Sequence, residues 1–209
     1  MDADRHGQRR RAGGKEGTAR AALGFRVKSG WALAIVLTGD ANHPRACERS
    51  TLTLADPAVP ESTQPWHEGL EVPPRRAQAV VSRLVAVVEA YAARSVSELL
   101  ERCEREGWAI AGAGLVVGSD ADPAAIANDH IRAHAEEGRL FRRVLQEGLA
   151  REGLPVTVTP EKKLYAAAAA TLGRPEARLR ADIAALGKPL GGPWRAEEKA
   201  AAIAAWMAL

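Results

Sequence analysis

The chain is poor in cysteine and has no long apolar run, and each absence narrows what it can be. Only Cys47 and Cys103 occur among 209 residues. They stand far apart and outside any metal-ligand spacing, which sets aside a redox pair and predicts two reduced thiols, one in a strand and one in a helix. No stretch approaches the roughly 18 uninterrupted apolar residues of a membrane span. The best run, Trp31 to Leu37, has the length of a strand. Basic residues near the start are followed by no apolar segment, so a secretory signal is not expected and the reading is a cytoplasmic protein without a membrane partner. Neither Gly112-Ala-Gly114 nor Gly191-Gly-Pro-Trp194 has phosphate-loop spacing. No Ser-His-Asp order, reactive-cysteine setting or internal repeat stands out.

What is present suits one folded core. Hydrophobic residues make up 46% of the chain, an ordinary globular fraction, and the length fits a single domain. The net charge of +3 lies wholly in residues 1–22, where Arg5, Arg9, Arg10, Arg11, Lys15 and Arg20 outnumber three acids. Charge and glycine without apolar periodicity predict a disordered basic tail over 1–22, able to add salt-sensitive affinity for nucleic acid. The folded domain is expected over 23–209.

Along that domain the apolar period changes twice. The run Trp31–Leu37 and the partly alternating run Arg45–Ala55, joined by a polar turn, predict an antiparallel hairpin. Prolines 57, 60, 65, 73 and 74 predict a long loop over 56–74. From Arg75 a helical period extends to Gly107, with Ser95 or Ser97 placed to kink or re-cap it. Trp108–Gly118 is apolar throughout, as a buried central strand is. Asn128 is a suitable N-cap for a helix to about Arg151, with Ile131, Ala135, Leu145 and Leu149 as its expected core face. A strand at Leu154–Val158 and three further helices follow, the last from Arg195. Strands alternating with helices imply parallel neighbours, so the fold class is α/β: a mixed sheet, antiparallel in front and parallel behind, flanked by helices.

Several strings carry a family resemblance. Leu99-Leu-Glu-Arg-Cys-Glu-Arg-Glu-Gly107 leads into a strand ending Leu115-Val-Val-Gly118. Gly153-Leu-Pro-Val156 precedes Pro160-Glu-Lys-Lys-Leu164. Glu198-Lys-Ala-Ala-Ala-Ile203 opens the last helix, and Gly24-Phe-Arg-Val-Lys-Ser-Gly-Trp-Ala32 opens the fold. Together with the element order, these resemble the Holliday-junction resolvase branch (RuvC and YqgF types) of the ribonuclease H-like superfamily. The resemblance implies a ribonuclease H-like fold, a nucleic-acid partner, and Mg²⁺ held by clustered carboxylates, because hard anionic oxygens are what bind Mg²⁺ beside a phosphate. It maps catalytic and metal acids onto Glu161 and Glu198 (or its neighbour Glu197), with Asp120 at the end of the central strand. The first-strand aspartate, however, falls on Arg26, with Lys28 two residues on, and a cation there repels a metal. Glu161 and Glu197 also suit the first turn of a helix for the helix dipole alone.

A second constellation is independent of that resemblance. His130, His134 and Glu137 share one helical stripe, continued by Phe141 and Val144. The histidines can share a metal with Glu137 as ligand or orienting group, or form a half-buried pair satisfied by carbonyls and Glu137. They can also line a pocket with Asn128 and Arg132, where helix N-terminal amides favour an anion. In the proline-rich loop, Trp66 and His67 suggest a lid or a base-stacking contact, or an aromatic that pins the loop to the core. Two functions follow. One is a nucleic-acid-associated protein of nuclease-like ancestry, using Mg²⁺ or degenerate at Arg26. The other is a non-catalytic binding or assembly module with a pocket of Trp66, His67, His130 and His134.

Overall fold

The structure, a computed structural model, describes residues 18–209. Its first strand, β1 (Ala19–Lys28), turns at Gly30 into β2 (Trp31–Thr38), which returns as β3 (Arg45–Thr53). The expected starting point, Leu23, thus falls inside the first strand, and most of the predicted tail lies outside the described residues. The sheet order is β3-β2-β1-β4-β5, with β4 at Trp108–Val117 and β5 at Val156–Pro160. β1 pairs antiparallel with β2 and parallel with β4; β2 pairs antiparallel with β3, and β4 parallel with β5. This is the expected mixed sheet.

Side chains alternate across the strands, so each strand feeds two cores. Leu23, Phe25 and Val27 of β1, with Leu115 and Val117 of β4, face a core built by α2 (Pro74–Arg105) and α3 (Asp129–Arg151). Leu33, Ile35, Leu37 and Val116 face the other side. There they meet α4 (Leu164–Leu172), α5 (Glu176–Leu186) and α6 (Ala196–Ala208). Gly24 and Gly114 also face α6. A Cβ at Gly24 would lie 1.9 Å from the Ala201 carbonyl oxygen, and one at Gly114 would lie 2.4 Å from that of Ala204. These glycines, with the alanine face of α6, let helix and sheet backbones approach closely. Arg26 continues the Gly24 row at the end of β1, and is buried there at 5% exposure.

Three local expectations are corrected. The proline-rich segment is not a plain loop: a 3-10 turn at Pro60–Thr63 and α1 (Pro65–Leu70) occupy it, each with proline in its first turn, where proline's fixed φ and missing N–H cost nothing. α2 runs unbroken through Ser95 and Ser97. On α3, Leu145 and Leu149 are buried as expected, but Ile131 is 56% exposed and Ala135 only partly buried; the buried stripe runs through Ala133, Glu137, Leu140, Phe141 and Val144 to them. That stripe turns His130 and His134 toward α1 instead of leaving them at the edge of an Ile131-centred face. Among the described residues, no helix is long and apolar enough to cross a membrane.

Candidate functional site

Two clusters converge where β1 and β4 end. In the first, the Arg26 Nη2 donates to Glu161 Oε2 at 2.5 Å, while Nη1 donates to the carbonyls of Val27 at 3.1 Å and Val116 at 3.5 Å. Glu161 reaches it because β5 runs parallel to β4 and delivers the residue following Pro160 to the same sheet end. Two residues along β1, Lys28 Nζ lies 3.5 Å from Glu197 Oε1. The Glu197 carboxyl is held below its ordinary value, first by its own backbone N–H at the start of α6 and then by Lys28. Glu198 is turned inward: its Oε2 accepts the Arg195 backbone N–H at 2.8 Å and caps the helix. Asp120 is exposed in the segment after β4. Of the three acids that the resemblance singled out, Glu161 therefore meets Arg26, Glu198 serves its own helix, and Asp120 faces solvent.

Beside this cluster lies a cavity of about 340 Å³, lined by Arg26, Lys28, Ser29, Gly118, Ser119 and His134. Its lining carries two cations and no carboxylate. Lys28 was visible in the sequence only as a neighbour of Arg26, and its pairing with Glu197 was not anticipated. The period of two along β1 is the signal that could have placed it on the same face as Arg26.

The second cluster joins α1 to α3. Rings of His67 and His130 lie 4.7 Å apart between centroids, those of His67 and His134 4.3 Å, and those of His130 and His134 4.7 Å. One potential ligand atom from each of the three falls within 4.8 Å of the others. Beneath them Glu137 is fully buried. Its Oε1 lies 2.7 Å from His67 Nδ1 and accepts the His67 backbone N–H at 3.3 Å. His67 Nε2 and Glu137 Oε2 are buried with no hydrogen-bond partner. His134 lines both this cluster and the cationic cavity.

The remaining expected binding residues stand apart. Trp66 lines a groove with Val81, Val85, Leu140 and Arg143 and packs on the core, so it is not in the histidine pocket. Asn128 caps α3 by accepting from Ile131 N at 2.9 Å. Arg132 donates to the Ile126 carbonyl and pairs with Asp129. Both groups expected to receive an anion at this helix end are thus already bound locally. A larger cavity, about 410 Å³ between Asn42–Ala46 and α5, lies at the opposite end of β2 from these clusters.

No family model matches the chain, and no curated protein does. Among solved structures, the chain is similar to Thermus thermophilus RuvC, with 11% identity and a TM-score of 0.51 over 90% of this chain and 92% of that one. It is likewise similar to T. thermophilus RuvC in complex with a Holliday junction substrate, at 12% identity and TM-score 0.51 over 90% and 91%. The chain therefore has a ribonuclease H-like α/β fold of the RuvC kind, as its sequence strings had suggested; at this identity the likeness establishes the fold.

Proposed function

We propose that this protein is a nucleic-acid-binding module of nuclease-like ancestry that engages the phosphate backbone at the sheet end without two-magnesium cleavage. The single observation that carries the reading is Arg26 on the central strand, buried and bonded to Glu161 at 2.5 Å. Magnesium demands near-octahedral oxygen ligation at about 2.0–2.1 Å, and here a guanidinium already holds the Glu161 oxygen. In this reading Glu161 is an ion-pair partner and Glu198 a helix cap, so these acids do not fit an Mg²⁺ pair. Lys28 and the serines, with Arg26 in the cavity wall, favour an anion in the adjoining cavity. A solved structure of the same fold, T. thermophilus RuvC, is in complex with a Holliday junction substrate, which supports nucleic acid as the class of ligand.

Fluorescence anisotropy with labelled four-way junction, duplex and single-stranded DNA and RNA tests this reading. Binding that weakens steeply as salt rises is expected, since neutralising phosphates releases counterions. No binding to any of these even at low salt would overturn it. The other reading, a non-catalytic ligand-binding or assembly module, is favoured by the meeting of His67 with His130 and His134; Trp66 lies outside that pocket.

A further inference from the structure

Three imidazoles over one buried carboxylate have no role in phosphate binding as proposed above. We infer that His67, His130 and His134 bind one transition-metal ion of the zinc class, with Glu137 orienting His67 from beneath. Three features support this.

First, the nitrogens converge from different elements. His130 and His134 stand one turn apart on α3, and α1 brings in His67, so that potential ligand atoms lie within 4.8 Å of one another. Tetrahedral ligation at about 2.0–2.1 Å needs nitrogens roughly 3.4 Å apart. His130 and His134 are exposed, so their rings are free to close that gap by small rotations.

Second, the tautomer is arranged. His67 Nδ1 faces Glu137 at 2.7 Å, which leaves Nε2 as the ligand atom, and Nε2 is buried without a partner. A histidine that ligates a metal commonly directs its other ring nitrogen to a carboxylate, which fixes the ring and raises its basicity.

Third, Glu137 is fully buried, its Oε2 is unpartnered, and only histidines lie within ion-pair distance of it among the described residues. An isolated buried carboxylate is costly, and a dication held by the adjacent rings compensates it. Imidazole donors select zinc, cobalt, nickel or copper over magnesium, so this site is distinct from the magnesium chemistry considered at Glu161. Three protein ligands leave a fourth position for water or an added ligand, and His134 places the ion at the border of the cavity that holds Arg26 and Lys28.

The test uses the untagged full-length chain, stripped of metal and titrated with Zn²⁺ against a chromophoric chelator. Co²⁺ loading is followed by visible spectroscopy in parallel. One equivalent per chain is expected, with the intense bands of four-coordinate cobalt and no competition from Mg²⁺. His130→Ala and His134→Ala, both at exposed positions, should fold normally and lose affinity by about tenfold or more, and Glu137→Gln should weaken it by about 10–100-fold. His43→Ala, on the β2–β3 turn, should bind as the unaltered protein does. Absence of one-to-one binding, or full affinity in His130→Ala and His134→Ala, would overturn the site. Unchanged affinity in a folded Glu137→Gln protein would overturn the orienting role. Nucleic-acid binding is not read in this titration, so either proposal can fail without the other.

Discussion

The Arg26 guanidinium and the Glu161 carboxylate meet at 2.5 Å across the ends of β1 and β5. The cation at this strand end is built into the sheet, because the same guanidinium also donates to the carbonyls of Val27 and Val116. Arg26 follows Gly24 by the strand period, so its stem lies on the side where α6 packs closely over the sheet. A carboxylate at this position would face Glu161 directly, whereas arginine neutralises it.

Glu161→Ala should therefore destabilise the protein. It leaves Arg26 buried with backbone partners alone, but Glu161 is itself half-exposed and solvent screens part of the loss. About 1–2 kcal/mol is expected, read as a lower urea midpoint at unchanged slope. No change in midpoint would mean that the pair adds nothing.

Lys28→Gln should leave stability nearly unaltered, since Lys28 is partly exposed and its pairing with Glu197 at 3.5 Å lies near the surface. Affinity for DNA should fall across all sequences, and the salt slope should shrink by about one. Anisotropy at several salt concentrations measures both.

Two glycine substitutions should act in opposite directions. Gly114→Ala drives a Cβ to 2.4 Å from the Ala204 carbonyl, so α6 must lift from the sheet at a cost of at least about 3 kcal/mol. Gly138, on the open face of α3 with no atom within 4 Å of an added Cβ, should gain about 0.4–1 kcal/mol as alanine. Denaturant melts of both proteins test the contrast.

The two thiols should separate by reactivity. Cys103 is buried on the inner face of α2 and its thiol is pushed up to about 11, chiefly by burial and further by Glu48. Cys47, partly exposed on β3, should react with a thiol reagent in the native protein, and Cys103 only after unfolding. The raised value favours the neutral thiol in the native state, so Cys103 contributes stability that is whole below its ordinary value of 9.0. That contribution is lost as the pH rises through about 11. Two thiols reacting at equal rates in native protein would contradict the burial.

Much of the architecture was legible because its signals are local. The apolar run Trp108–Gly118 and the Asn128 cap each name an element from a few residues. The misreadings came where one signal has two meanings. Prolines 60 and 65 read as loop residues, yet proline suits a helix start as well as a break. Ile131 was assigned to the core for its hydrophobicity, but the stripe through Glu137 and Phe141 is what α1, α2 and the sheet cover. Glu137 and His67 belong together only through tertiary packing, so neither periodicity nor spacing could place the carboxylate beneath that ring. The basic residue near the end of the first strand, by contrast, was readable directly from Gly24-Phe-Arg.

The central claim, binding at the sheet end without two-metal cleavage, is tested most directly with labelled four-way junction DNA in Mg²⁺ or Mn²⁺, cutting and binding being followed together. A Glu161→Gln protein serves as the control for contaminating nuclease. The account predicts salt-sensitive binding and no cleavage in either metal. Metal-dependent cutting that disappears in Glu161→Gln would contradict it, by showing that Glu161 serves a metal despite Arg26.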